Sequence, residues 1–327
     1  MKKFSSIIAL VLLLALILPS CSSGLTAPET PEPEKKETVE KKPAEKKTEE
    51  KKTEPEPIMQ EYDPAEDDVM NVLMIGHSFC YYYVEELYGI AKAAGVDMKV
   101  CNVYYSGCSL KQHWTWWKQN ESNYQYFETD GNGRRKALDN TNLLACLRRE
   151  NWDVISFQRG SKDYPSAPKE DTYRHLGDLL NLVKTNFPKS TYYWHHAWAY
   201  QVGYDRNGFK MESAEQQAKS AADKKLISLE YARDFNLILI PSGDAWQYAR
   251  QDSRVGDILC NRGSKSDNYH DGDEGGGQYL NACVWFEVLT GQSCIGNTWR
   301  PQNYSLSESM ITALQQAAHR AVAESRG

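Results

Sequence analysis

Apolar and polar positions along residues 69–327 form two alternating patterns. Short apolar runs predict strands, and the stretches of helical periodicity between them have the length of crossover helices. The predicted strands are residues 71–76, 98–105, 152–158, a part of 190–200, and 236–241. The predicted helices are residues 83–95, 141–151, 172–188, 213–235, 276–291 and 305–325. This order predicts a three-layer α/β/α sandwich with a mainly parallel five-stranded sheet.

One segment interrupts this alternation. Residues 113–135 are rich in aromatic and polar side chains and contain the sequence Asp-Gly-Asn-Gly. Because Asp-Gly and Asn-Gly suit tight turns, we predict a hairpin or a flap over the edge of the sheet. Trp114 and Trp117 are candidate substrate-binding residues, since an aromatic face can stack on a sugar ring. Packing of the segment onto the domain is at least as good an interpretation of these side chains.

The first 21 residues have the pattern of an export signal. Two lysines precede an apolar run, and Cys21 follows Leu18, Pro19 and Ser20. The run is too short for a comfortable permanent membrane span, and a cysteine at this position resembles a bacterial lipobox. We therefore predict that residues 1–21 are a lipoprotein signal peptide and that Cys21 is lipidated, which would anchor an exported protein to the cell envelope. A plain cleaved signal is the alternative.

Residues 22–68 form a second predicted region. Residues 26–57 are almost entirely Lys, Glu, Pro and Thr, without a core-forming aromatic side chain, so a disordered and extended stalk is expected. Its charges nearly balance, and the whole chain has a formal net charge of -6, so nucleic acid is not an expected partner. The lipid on Cys21 is the one expected attachment to a membrane. Residues 69–327 suit one globular domain with a sizeable core.

Metal sites are not expected in this domain. Its seven cysteines include no Cys-x-x-Cys pair, at least one thiol must stay free, and several are expected to be small core residues. The acidic residues 271–274 lack the twelve-residue calcium loop, which favours a solvated turn. His195 and His196 lie on a predicted strand, where neighbours face opposite sides, so we expect one beside the site and the other in the core.

Ser78 directly follows the first predicted strand, in the sequence Gly-His-Ser-Phe. A serine nucleophile needs a base within hydrogen-bond reach, a group that orients the base, and donors for the oxyanion. Asp267 and His270 are separated by two residues, so a short turn would place the carboxylate against one imidazole nitrogen. In isolation Ser78 is better explained as a helix cap, and His270 as a loop histidine. Their combination favours a nucleophile.

These motifs together resemble the SGNH hydrolase superfamily, the GDSL-type esterases, and within it a bacterial lipoprotein branch. The resemblance covers about residues 69–299 and rests on VLMIGHSF, YYSGCSLKQHW, VISFQRGS, PSGDAWQ and YHDGDEGGGQYLNACVWFEVLTG. It implies a flavodoxin-like fold, Ser78 as nucleophile, His270 as general base and Asp267 as its orienting partner. It also implies oxyanion donors in the backbone amides of Ser78 and Gly107, and no metal or organic cofactor.

Two positions depart from the pattern of that superfamily. His77 stands where the superfamily usually has Asp or Asn, and Ser-Phe-Gln-Arg-Gly-Ser replaces the block Gly-x-Asn-Asp. Gln158 in the replacement carries an amide that could serve as the third oxyanion donor. A satisfied polar residue at a strand end is the alternative. His77 is a candidate capping or substrate-contacting side chain.

The implied function is a serine esterase that works through an acyl-enzyme. Export, the stalk and the aromatic segment favour an O-acyl group, in the first place acetyl, on a carbohydrate, although a lipid or aryl ester stays open. A hypothesis from another class is a surface glycan-binding protein on a degraded hydrolase scaffold, which the departures at His77 and Gln158 favour. A glycosidase would need paired carboxylates at a spacing that the sequence does not reveal.

Overall fold

A computed structural model describes residues 68–160, 169–206 and 208–326. The predicted signal peptide, Cys21 and all of the predicted stalk except its last residue lie outside the described residues. Among the helices described, none has both the length and the apolar character needed to cross a membrane.

The domain is built around one mixed sheet of seven strands. In chain order the strands of the described residues are β1 Met70–Gly76, β2 Met98–Tyr104, β3 Tyr124–Asp130, β4 Gly133–Thr141, β5 Val154–Gln158, β6 Thr191–His195, β7 Asp205–Arg206, β8 Phe209–Lys210, β9 Ile238–Ile240, β10 Asn261–Arg262 and β11 Lys265–Ser266. The central sheet has the order β4-β3-β2-β1-β5-β6-β9, while β7–β8 and β10–β11 form two small hairpins. Strands β2, β1, β5, β6 and β9 are parallel, which confirms the predicted five-stranded parallel sheet.

Helices cover both faces of this sheet. In chain order they are α1 Val84–Ala93, α2 Leu110–Gln119, α3 Leu143–Leu147, α4 Lys169–Asn186, α5 Ala214–Phe235, α6 Ser242–Gln251, α7 Gly277–Thr290 and α8 Glu308–Ser325. Two hydrophobic clusters separate the layers. Along β1, Val72 and Met74 enter one cluster with α1, α6, α7 and α8, whereas Leu73 and Ile75 enter the other with α2, α3, α4 and α5. This arrangement confirms the three-layer fold class.

The main departure from the predicted fold lies in residues 110–141. The sequence predicted a hairpin or flap over the sheet edge, but the first part is helix α2, which Ser109 caps by accepting a hydrogen bond from the Gln112 N–H at 3.1 Å. The hairpin follows it as β3 and β4, and β3 pairs antiparallel with β2. The hairpin therefore widens the sheet instead of covering its edge.

The cysteines and the acidic stretch also have defined places. All seven cysteines of the described residues are free and buried, as expected of small core residues. The prediction of a solvated turn at residues 271–274 is wrong for Asp271, which has no exposed surface. The Asn281 side chain on α7 donates to Asp271 Oδ2 at 3.2 Å and partly replaces water around this carboxyl group.

Candidate active site

Ser78 lies at the carboxyl end of β1, the middle strand of the sheet. β1 ends at Gly76, and a short 3₁₀ helix begins at Ser78, whose exposed fraction is 4%. A side chain on Gly76 would place its Cβ 2.2 Å from Gln158 Nε2, so the close passage of Gln158 requires glycine there. In a parallel sheet the carboxyl edge is where ligands bind, and the turn after β1 presents Ser78 at that edge.

His77 caps the turn that holds Ser78. Its Nδ1 accepts a hydrogen bond from the Phe79 N–H at 3.4 Å, and its Nε2 lies 2.9 Å from the carbonyl oxygen of Arg159. Burial lowers the pKa of His77 to about 4, so the ring is neutral at pH 7. Of the two roles that the sequence left open, this fully buried position favours capping over substrate contact.

His270 reaches Ser78 from a loop between β11 and α7. Its Nε2 lies 2.8 Å from Ser78 Oγ, and its Nδ1 lies 2.7 Å from Asp267 Oδ2. Because a carboxylate accepts at Nδ1, the imidazole carries its proton there, and Nε2 accepts from the serine hydroxyl. The predicted Ser-His-Asp group is thus within hydrogen-bond distance across 192 positions of sequence.

Asp267 is held in its charged form by the turn that it begins. Burial opposes its ionisation, but hydrogen bonds from the side chain and the backbone N–H of His270 outweigh that effect and lower its pKa to about 2. The backbone N–H groups of Tyr269 and His270 donate to Oδ1 at 3.2 and 2.9 Å. The loop is also held by the buried side chain of Trp198, whose Nε1 donates to the Tyr269 carbonyl at 2.8 Å.

Gly107 lies in the turn after β2, the strand next to β1. It has a φ of 65°, a left-handed conformation that favours glycine, and the Cys108 N–H closes the turn by donating to the Tyr105 carbonyl at 3.2 Å. Within the described part of the chain, the backbone N–H groups of Gly107 and Ser78 have no acceptor. Their service as oxyanion donors stays a prediction.

Gln158 ends β5 underneath the turn of Ser78, with an exposed fraction of 3%. Its Nε2 donates to the His77 carbonyl at 3.4 Å, and its Oε1 lies 3.4 Å from His195 Nδ1. In this position the amide supports the turn from below, which is the alternative of a satisfied polar residue at a strand end. The predicted role as third oxyanion donor stays a prediction.

The histidine pair at the end of β6 lies fully inside the domain. His195 Nε2 is 3.0 Å from Ser242 Oγ, and His196 Nδ1 is 3.1 Å from Ser228 Oγ. Both side chains are at most 2% exposed, so the expectation that one of them lines the site is wrong. Trp198 is also fully buried; its ring stacks on Phe79, the residue after Ser78, with 4.6 Å between ring centroids.

Three aromatic rings that the sequence analysis did not select surround His270. The ring centroids of Tyr269, Tyr82 and Phe79 lie 3.8, 5.1 and 5.9 Å from that of His270. Tyr82 and Tyr269 are half-buried, so their rings form the border between the candidate site and solvent. Only their adjacency in sequence to Ser78 and His270 could have indicated them.

The predicted sugar contacts lie on a different element. Trp114 and Trp117 are partly buried on α2, where they pack against the hydrophobic cluster that contains Leu73 and Ile75. Packing, the alternative stated from the sequence, therefore accounts for part of each side chain. Contact with a sugar stays a prediction for both.

A cavity of about 360 Å³ lies beside the aromatic border and does not include Ser78. Its lining includes Tyr200, Phe209 of β8 and Lys224 of α5. The Tyr200 ring contacts those of Phe79 and Tyr269, at 6.3 and 5.9 Å between centroids. The cavity is therefore a neighbour of the candidate site and not its centre.

The fold and these side chains define an α/β protein with a serine, a histidine and a carboxylate assembled at the carboxyl edge of a parallel sheet. The chain belongs to the family described as "Domain of unknown function (DUF4886)", which residues 71–321 match. It is 30% identical to a DUF4886 family protein from Bacteroides uniformis ATCC 8492, whose crystal structure superposes with a TM-score of 0.69 over 78% of this chain and 95% of that one.

More distant structures are also similar to this chain. The acetylxylan esterase Axe2 from Geobacillus stearothermophilus is 12% identical, with a TM-score of 0.42 over 72% of this chain and 97% of that one. A GDSL-like lipase from Bacteroides thetaiotaomicron VPI-5482 is also 12% identical, with a TM-score of 0.39 over 68% of this chain and 89% of that one. No curated protein sequence matches the chain.

Proposed function

We propose that this protein is an SGNH-type serine hydrolase that cleaves esters through an acyl-enzyme. The observation that carries the proposal is the continuous hydrogen-bonded path from Ser78 Oγ through His270 to Asp267, at 2.8 and 2.7 Å. A structural serine has no need of an imidazole that is oriented by a charged carboxylate. A nucleophilic serine needs both.

In the first half of the reaction, Ser78 Oγ attacks the carbonyl carbon of the ester. Its proton passes to His270 Nε2, while the carbonyl oxygen takes the electron pair and becomes an oxyanion. We assign the backbone N–H groups of Ser78 and Gly107 to this oxyanion. When the intermediate collapses, the alcohol leaves with the proton from His270, and the acyl group stays on Ser78.

In the second half, water replaces the alcohol. His270 Nε2 takes a proton from water, whose oxygen attacks the acyl carbon, and the second intermediate collapses to release the acid and restore the Ser78 hydroxyl. Asp267 stabilises the imidazolium in both halves because its carboxylate faces Nδ1. Its low pKa keeps it charged throughout the range in which an enzyme of this kind works.

We propose an O-acyl group on a carbohydrate, most simply an acetyl group, as the substrate. Three features support this: the export signal predicted from the sequence, the half-buried tyrosine rings of the candidate site, and the tryptophans of α2. Trp114 and Trp117 are proposed to contact a longer glycan outside the reacting centre. We also propose that a lipid on Cys21 anchors the exported protein to the cell envelope; palmitate labelling that is lost in Cys21→Ala would support this anchor.

Hydrolysis of p-nitrophenyl acetate and of acetylated polysaccharide by wild type and Ser78→Ala tests the hydrolase proposal. Ser309→Ala is the matched control, since Ser309 is exposed on α8. We expect clear acetate release by wild type and the control, and a loss of at least ~10⁴-fold in Ser78→Ala. If wild type is no faster than Ser78→Ala on every ester, the proposal fails. Retained glycan binding would then favour the glycan-binding hypothesis.

A further inference from the structure

Three arginines lie on tyrosine rings around the candidate site. The guanidinium carbon of Arg262 is 4.1 Å from the centroid of the Tyr82 ring, and that of Arg206 is 5.2 Å from the Tyr269 ring. These are the two rings that border His270. The third, Arg134 on β4, is 3.9 Å from the ring of Tyr81.

The three positions are connected through ring contacts. Tyr81 and Tyr82 are 5.0 Å apart, Tyr82 and His270 5.1 Å, and His270 and Tyr269 3.8 Å. The guanidinium groups, contributed by β4, β7 and β10, therefore follow one continuous border around the proposed base. We call Arg134, Arg206 and Arg262 the arginine rim.

The guanidinium groups of the rim form no direct ion pair within the described part of the chain, although Arg262 is close enough to Asp271 to offset part of the rise in pKa that burial causes in that carboxyl group. Among the described residues, none of the three arginines forms an ion pair with a carboxylate, whereas Arg135, Arg250 and Arg320 elsewhere in the domain each do. Arg262 and Arg134 donate to backbone carbonyls, of Asp271 and Tyr81 respectively. A carbonyl bond orients a guanidinium group and leaves its positive charge in place.

The acidic residues close to the rim are already engaged. Asp267 accepts from His270, Asp271 is fully buried, and Asp205, next to Arg206 on β7, pairs with Lys210 at 2.9 Å. Stacking on an aromatic face fixes the plane of a guanidinium group and leaves N–H groups at its edge for a planar anion. At Arg262 these are the N–H groups of the Nη atoms, because its Nε is buried. Carboxylates fit such an edge through paired N–H···O bonds.

From this arrangement we infer that the substrate is an acylated polysaccharide that carries carboxylate groups, such as one containing uronic acid units. The inference rests on the proposed hydrolase function and deepens it. The arginine rim binds carboxylates of sugar units next to the acylated one, and it thereby positions the ester carbonyl at Ser78. The net charge of -6 of the whole chain makes this local positive border a specific feature and not a general affinity for anions.

The test measures acetate release from acetylated polygalacturonate and from the same polymer after methyl esterification of its carboxylates, so that the two polymers differ in negative charge and not in backbone. Wild type is expected to have the higher kcat/KM on the anionic polymer, and an increase of the salt concentration from about 0.05 M to 0.5 M should reduce that preference, because screening shortens the reach of exposed charges. In the double variant Arg206→Gln/Arg262→Gln, the ratio of kcat/KM between the two polymers should fall roughly tenfold, mainly through KM. In Arg206→Gln alone it should fall about two- to fivefold.

Arg320→Gln is the matched control, because Arg320 lies on α8 and pairs with Glu324 at 2.8 Å; its preference should equal that of wild type. Equal kcat/KM on the two polymers, unchanged in the double variant, would overturn the inference and leave the hydrolase function intact. If wild type hydrolyses no ester at all, the hydrolase proposal fails. Binding of polygalacturonate by Ser78→Ala then tests separately whether the arginine rim binds carboxylates. Retention on that polymer that the double substitution abolishes supports the rim, and no retention refutes it.

Discussion

Two histidines lie next to Ser78, one in the turn after β1 and one in the loop before α7. They differ in burial and in hydrogen-bond partners. His77 is fully buried, with both ring nitrogens within hydrogen-bond distance of the backbone. The His270 side chain is 12% exposed, and its nitrogens face a hydroxyl group and a carboxylate. Adjacency in sequence does not select the base. We propose His270 as the base because its partners can exchange a proton.

The largest expected difference between these regions is catalytic. His270→Ala removes the proton acceptor of Ser78 and should reduce ester hydrolysis by at least ~10⁴-fold. His77→Asn keeps a short polar cap for the turn and should cost less than about tenfold in kcat, with some loss of stability. Initial rates on p-nitrophenyl acetate, with thermal unfolding of each variant as the folding control, check this. A larger kcat loss in a folded His77→Asn than in His270→Ala would reverse the assignment.

A second comparison sets Asp267 against its partner. Asp267→Asn keeps the shape of the side chain but removes the negative charge that fixes the His270 tautomer, so a loss of roughly 10³-fold in kcat is expected. Because the folded pKa of Asp267 is lowered to about 2, its contribution to stability is complete above the unfolded pKa of about 4. That contribution is lost as the pH falls towards 2. The difference in Tm between wild type and Asp267→Asn should therefore shrink over this interval. A constant difference would contradict the proposed charge.

Gln158→Ala separates support of the turn from stabilisation of the oxyanion. The amide lies under His77 and is buried, so truncation should lower Tm, because the His77 carbonyl loses a buried donor, and should reduce kcat by about tenfold or less. Steady-state rates and thermal unfolding of the same preparation give both numbers. A loss of about 10²–10³-fold in kcat at unchanged Tm would instead establish Gln158 as an oxyanion donor.

The smallest catalytic effect is expected at Asp271, the residue after His270. Burial raises its pKa to about 7, so the folded state binds its proton more tightly than the unfolded state does. Stability from this group is present at low pH and is lost as the pH rises through about 7. Asp271→Asn should therefore gain Tm relative to wild type between pH 5 and pH 8, with a change in kcat of less than about threefold. A Tm difference that is constant or falls with pH would contradict the raised pKa.

The features of this protein that depend on local sequence patterns could be predicted from its sequence. The five parallel strands follow from apolar runs between helical stretches, and the group of Ser78, Asp267 and His270 follows from two short motifs. The hairpin β3–β4 is predicted from the sequence only as a hairpin or flap over the sheet edge, because nothing in its sequence indicates that it pairs with β2. Burial of Asp271 depends on Asn281 of α7, which is a tertiary contact without a local signal.

The arginine rim could not have been predicted for a similar reason. Arg134, Arg206 and Arg262 belong to three separate hairpins, and nothing in the sequence of each hairpin distinguishes its arginine. Their relation appears only when the fold places each guanidinium group on a tyrosine near His270. Stacking partners have no fixed spacing in sequence, whereas a Ser-His-Asp group has recognisable neighbours.

Labelling with a fluorophosphonate tests the central claim most directly, because this reagent forms a covalent bond with a serine that a neighbouring base has activated. Intact-mass and peptide mass spectrometry would locate the adduct. Our account predicts one adduct on Ser78 in wild type and in His77→Asn, strongly slowed labelling in His270→Ala and none in Ser78→Ala. A folded wild-type protein that is not labelled, or that is labelled at the same rate in His270→Ala, would contradict it.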